Sequence, residues 1–134
     1  MKIKPILAVL LLIVVFNPAY SQDKIRISGV VTAFKTIPLN NVLVVSSKTG
    51  EAARTDSTGV FSLLCMKKDV LKVSASGFIP RKQNVKGESL YKIDLVYRGD
   101  PESSNEAISN GHIAERVLKA AVTSGQGKRV KDYS

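Results

Sequence analysis

His112-Ile113-Ala114-Glu115 is the one stretch of this chain whose residue types and spacing match a metal centre, because a histidine and a glutamate three positions apart can fill two ligand positions of a catalytic zinc. Such an ion needs three protein ligands and an open position, and the sequence has no second histidine. The spacing is read as chance, and no metal is expected. His112 could in principle act as the base of a Ser-His-Asp relay, but it lies beside Gly111, outside any expected concave scaffold, and no nucleophile motif accompanies it. Asp56, Asp69, Asp94 and Asp100 are too scattered for a cation-binding loop, and turn or surface roles suit them better. Tyr91 and Tyr97 share one strand face and could stack on a sugar, yet Ile93 and Leu95 on the same face favour core packing. Arg98-Gly99-Asp100 reproduces an integrin-binding tripeptide by coincidence at a strand end. No catalytic, cofactor-binding or metal-ligating residue is assigned, and the chain is not expected to be an enzyme or to carry a cofactor.

The elements that would position these groups are strands. Thr55-Asp56-Ser57-Thr58-Gly59 reads as a tight turn, with Asp56 bonding the backbone ahead of it and Gly59 supplying a positive φ. Phe61 and Leu63 then point to one face while Val60 and Ser62 point to the other. The same alternation runs from Lys24 to Tyr97. Ile25, Ile27, Gly29 and Val31 share one face of the first segment; Val42 to Ser46 is apolar on both faces, as in a central strand; Leu71, Val73 and Ala75 point inward later on. Pro80 lacks an amide donor, so Phe78 to Val85 is expected at a sheet edge or across a bulge. Tyr91, Ile93, Leu95 and Tyr97 line the last inward face. About seven strands of an all-β sandwich result.

Beyond Arg98-Gly99-Asp100-Pro101 the alternation stops and helix formers appear, which marks a domain boundary. Ser103 and Glu106 resemble a capping box, and Asn110-Gly111 ends that short helix. Ile113, Val117, Ala120 and Ala121, with Leu118 and Val122 beside them, form an apolar stripe at helical spacing, closed by Gly125 and Gly127. A helix this short must dock or fray. Lys128 to Ser134 is expected to be disordered. The expected organisation is residues 1-21 as a signal peptide, 22-98 as the sandwich, and 99-134 as linker, short helix and tail.

The export reading rests on a basic Met1-Lys2-Ile3-Lys4, an apolar run from Ile6 to Phe16 and a small-x-small site at Ala19-Tyr20-Ser21. The apolar run of 11 residues is short of the roughly 20 that span a bilayer, so cleavage after Ser21 is expected, with an uncleaved anchor as the alternative. No stable membrane span is expected after cleavage. Removing residues 1 to 21 from 134 leaves 113, enough for one domain with a core. The only cysteine, Cys65, cannot staple that fold and is expected to behave as a small buried hydrophobe, with intermolecular pairing the minor alternative. Loss of Lys2 and Lys4 lowers the 20 basic residues to 18 against 11 acidic ones, a net +7. The basic residues are spread out with no aromatic platform between them, so nucleic acid is not the expected partner. Weak attraction to anionic lipid or polysaccharide fits an exported basic chain better, and solvated strand faces account for most of the charge.

Taken in order, Ile27-Ser28-Gly29-Val30-Val31, Ile37-Pro38-Leu39 with Val42 and Val44, Thr55-Asp56 with Gly59 and Phe61, Leu71 through Phe78, and Ile93-Asp94-Leu95 resemble the carboxypeptidase-regulatory-like domain. The resemblance covers residues 24 to 97 and implies a transthyretin-like Greek-key β-sandwich. Asn41 stands where the family often has glycine, and Ser57-Thr58 stand where acidic residues commonly follow the turn aspartate, which weakens the case for calcium there. Such domains occur at the periplasmic N-terminus of outer-membrane receptors energised by TonB, and on secreted peptidases and adhesins. The resemblance therefore implies a non-catalytic interaction module, periplasmic or secreted, with a receptor-like envelope protein as partner and either its edge strand or its helical tail as the contact. The alternative is a carbohydrate or surface-polymer binding module of the envelope, with a glycan as ligand.

Overall fold

The computed structural model describes residues 24-124; the expected signal peptide over residues 1-21, Gly125, Gly127 and the basic tail lie outside them. The described residues form nine strands and two helices: β1 (Lys24–Ala33), β2 (Ile37–Pro38), β3 (Leu43–Ser46), β4 (Ala52–Arg54), β5 (Val60–Met66), β6 (Lys68–Ser74), β7 (Phe78–Ile79), β8 (Arg81–Lys86), β9 (Leu90–Tyr97), α1 (Pro101–Ser109) and α2 (Glu115–Thr123). They build an all-β sandwich with two short helices packed on it. Two strands exceed the expected seven. One is the short β2, and the other arises because Phe78 to Lys86 divides at Pro80.

One sheet places β1 at its centre, with β9 and then β7 on one side and β5 and β2 sharing the other. The second sheet runs β4-β3-β6-β8. Pro80 marks the crossing, since Phe78 pairs with Tyr97 in the first sheet while Arg81 pairs with Val73 in the second. A residue without an amide donor suits the link between two edge strands. β1 and β9 run parallel, with Gly29 beside Tyr91 and Val31 beside Ile93, a pairing that local alternation cannot reveal.

The alternating side chains meet between the sheets. Ile27, Val31, Phe61, Leu63, Leu71, Val73, Ile93 and Leu95 are all buried, while Val60 and Ser62 on the opposite face of β5 are exposed. Central β3 lies between β4 and β6 and buries Val44, with Val42 buried just ahead of it. The turn that launches β5 has the expected chemistry. Asp56 Oδ1 accepts the amides of Thr58 and Val60 at 2.9 and 3.0 Å. Gly59 has φ +79°, and a Cβ there would stand 2.6 Å from the Val31 carbonyl oxygen.

The segment after Arg98 differs from a linker with a marginal helix. Ala107, Ile113 and Leu118 belong to the same buried cluster as Phe61 and Phe78, so both helices extend the sandwich core. Asp100, not Ser103, is the N-cap of α1; its carboxylate accepts the Ser103 amide at 2.6 Å, and Pro101 occupies the first turn. Asn110 ends α1 as expected. On α2 the buried side is Leu118 and Ala121, with Val117 half-buried, whereas Ala120 and Val122 face outward.

Candidate functional site

A cleft of about 610 Å³ opens between α1, the β6–β7 turn and the ends of β3 and β4, and it gathers Arg54, Arg98, Glu102, Glu106, Asn110 and His112. It holds the only histidine and the densest mixture of charges that the helices bring to the sandwich. Its geometry follows from the way α1 is tied down. Gly77 has φ +88°, and a Cβ on it would collide with the carbonyl oxygen of Ser103, so the helix backbone rests directly on that turn.

At the far end of α1 the chain turns through Gly111, and His112 points back into the protein. Its Nε2 accepts the Ser76 amide at 3.0 Å, and its Nδ1 lies 2.9 Å from the Asn40 carbonyl oxygen. Because a main-chain amide donates to Nε2, the proton of the neutral ring resides on Nδ1 and is donated to Asn40. The ring also meets Phe78 edge-on at 6.5 Å. Asn40 returns its own amide to the His112 carbonyl at 3.0 Å, and the Asn41 side chain donates to Asn110. His112 is only 4% exposed. It is thus a buried clasp between tail and sandwich, a correction to its expected place outside any concave scaffold.

The zinc-like spacing does not converge in space. Glu115 faces solvent on the first turn of α2 and pairs with Lys119 at 3.0 Å, while the His112 ring has both nitrogens engaged. Among the described residues no group of three or more potential ligands is gathered for a metal ion. A general base needs a free lone pair, and the Nε2 lone pair is taken by Ser76.

The aspartates divide by local role. Asp56 caps the β4–β5 turn, and the bonds from the Thr58 hydroxyl and the Val60 amide hold its carboxyl below the ordinary range against a smaller opposing effect of burial. Asp100 is held low by the Ser103 side chain and amide at the start of α1. Asp94 accepts from the Thr32 hydroxyl and the Lys35 amide, steadying a loop in which Phe34 and Lys35 both have positive φ. Of the expected turn or surface roles, Asp69 has the turn role, bonding the Met66 amide across the β5–β6 connection, but it is not at the surface, being 4% exposed. Burial pushes its carboxyl up, but bonds from the Ser46 hydroxyl and the amides of Met66, Val70 and Lys48, at 2.5 to 3.2 Å, together bring it below the usual carboxylate range. Continuing the inward series Val73, Leu71 back by two residues reaches Asp69, which is the signal that would have found it.

Thr55 is a second buried polar residue that motif reading passes over. Its hydroxyl donates to the Leu39 carbonyl at 2.7 Å and accepts the Val42 amide at 2.9 Å. Tyr91 and Tyr97 are both buried. The Tyr91 hydroxyl accepts the Lys86 amide, and the Tyr97 ring packs against Phe34 and Phe78, so they form no stacking face for a sugar. Arg98-Gly99-Asp100 is the entry to α1, with Asp100 occupied as its cap. Asn41 has φ +60°, a left-handed conformation that asparagine tolerates.

No family model matches the chain, and no curated protein matches it. Among solved structures it is similar to a chain in the crystal structure of a C-terminal interface mutant of a type II cohesin–X-dockerin complex from Acetivibrio cellulolyticus, at 18% identity and a TM-score of 0.44, over 55% of this chain and 58% of that one. The chain thus spans less than two thirds of the length of that relative. A likeness of this size carries no statement about activity or partner.

Proposed function

We propose that this chain is a non-catalytic interaction module of the exported cell envelope, related to the carboxypeptidase-regulatory-like domains appended to outer-membrane receptors, and that it takes up an extended segment of a protein partner along the free edge of β5. The observation that carries this reading is a contrast between two edge strands. β8 pairs only with β6 and bears Arg81, Lys82 and Lys86, the charged guard that natural sheets place on an exposed edge. β5 pairs only with β1, runs for seven residues from Val60 to Met66, and carries neither a charge nor a proline. Its outward side is engaged at both ends, where Asp56 bonds the amide and the carbonyl of Val60 and the Asp69 carboxylate accepts the Met66 amide, and the Thr49 hydroxyl lies 3.4 Å from the Leu64 carbonyl oxygen, so the open stretch centres on Ser62. An unguarded edge is a template for strand addition.

Exposed apolar side chains lie next to that edge. Val60 stands opposite Val30, and Ser28 of the same strand has Ser62 on one side and Leu90 on the other. Val60 and Leu90 are 39% and 56% exposed. The helical tail, by contrast, is committed to the sandwich core and is not free to serve as the contact. His112 and Asp100 in the cleft are engaged in holding the fold, which supports a binding role over a chemical one.

A photo-crosslinking residue at Ser62, compared with one at Asn84, tests the reading in envelope extracts. A discrete protein adduct from position 62 that is absent from position 84, and is lost in Leu64→Lys, is the expected result. Equal adducts from both positions, or none, would overturn it.

A further inference from the structure

We infer that the outer face of the four-stranded sheet docks this chain onto an anionic phospholipid surface. In the β6–β8 register Lys68 stands directly opposite Lys86, and Lys72 directly opposite Lys82. All four are exposed and share the outward face. Like charges directly across an antiparallel pair destabilise it, and here two such pairs lie four residues apart on the same two strands. Edge protection accounts for Lys82 and Lys86. It does not account for Lys68 and Lys72, which sit on an inner strand.

No carboxylate on the strands neutralises the array, and Glu102 and Glu106 of α1 stand at the other end of the face, beside Leu43, Arg54 and Ser74. The single carboxylate within β3, β4, β6 and β8 is Asp69, which points inward and is occupied by four hydrogen bonds. Glu51 and Glu88 lie in the connections after β3 and β8 rather than on the strands. Among the described residues the one ion pair is Lys119 with Glu115, on α2. At the end of the array a cleft of about 710 Å³ is lined by Lys48, Lys67, Lys68 and Lys86 together with Val70, Val85 and the hydrogen-bonded Asp69. Exposed lysines beside apolar side chains match a phosphodiester headgroup better than a sugar ring, for these four strands contain no aromatic residue on which a sugar could stack. The exposed large apolar residues Val60, Ile79, Leu90 and Val122 all belong to other elements, so the contact is electrostatic and superficial rather than inserted.

This surface is distinct from the β5 edge, so either assignment can fail while the other stands. The test is co-sedimentation of the full chain with vesicles of phosphatidylcholine alone or of phosphatidylcholine and phosphatidylglycerol in equal parts. Salt-sensitive binding to the anionic vesicles alone is expected. Lys68→Gln with Lys72→Gln should weaken it about 25-fold, at about fivefold per lysine, while Arg26→Gln with Lys92→Gln, which removes the same charge from the other sheet, leaves it unchanged. Equal weakening by both pairs would reduce the effect to net charge and overturn the assignment, as would equal binding to both vesicle types. Binding to a soluble polyuronate without binding to vesicles would assign the face to a polysaccharide instead. The melting temperature of the Lys68→Gln, Lys72→Gln protein should hold or rise; a fall would mean that these lysines serve the sheet itself.

Discussion

The Nε2 atom of His112 accepts the main-chain amide of Ser76 at 3.0 Å, so a residue from beyond the last strand completes the turn between β6 and β7. Removing the ring by His112→Ala leaves the part-buried Ser76 amide without its partner and empties the space the buried ring fills. A loss of about 1 to 3 kcal/mol in urea unfolding is expected, from the cost of the unsatisfied amide. An unchanged midpoint would show that the sandwich does not depend on the tail.

Leu118 and Val122 separate the buried side of α2 from the stripe that helical spacing alone suggests. Leu118→Ala is expected to cost about 2 to 5 kcal/mol, because its side chain belongs to the core shared with the sheets. Val122→Ala, on an outward position, should stay within about 0.5 kcal/mol. Equal effects in chemical denaturation would contradict the docking of this helix.

Gly77→Ala combines two faults, a positive φ and a collision with the Ser103 carbonyl. The expected cost is about 1 to 3 kcal/mol, and hydrogen exchange should accelerate through Pro101–Ser109 as the helix lifts from the turn. Exchange that quickens in the strands but not in α1 would place the strain elsewhere.

Asp69 predicts the acid limb of stability. Its folded carboxyl titrates below the ordinary value, so its contribution is fully present above the unfolded value of about 3.9 and is lost as pH falls through the lower folded value. Wild-type protein should therefore weaken on acidification below about pH 4, and the stability gap to Asp69→Asn should narrow over the same interval. Asp56 and Asp100 are shifted in the same direction, so the variant keeps part of the slope. A gap independent of pH would remove Asp69 as a cause.

Cys65 is buried, and that burial, followed by the nearby Asp69 charge, pushes its thiol up from the ordinary value. The native protein should resist a thiol-specific disulfide reagent and react fully once unfolded. Rapid labelling of the folded chain would require an opening at β5.

Period-2 alternation made the sandwich legible in this sequence, because a strand with one buried face writes its orientation into every second residue. Ile27 with Val31, Phe61 with Leu63, and Tyr91 through Tyr97 could be assigned to the interior from that rule alone, as could the turn at Asp56 and Gly59. Tertiary structure alone decided the parallel pairing of β1 with β9, the crossing between sheets at Pro80, the union of both helices with the core, the clasp of His112 on Ser76 and the facing lysines of β6 and β8. Each of these joins residues far apart in the chain, and their meeting depends on register and packing between elements, quantities that no local pattern of side chains records.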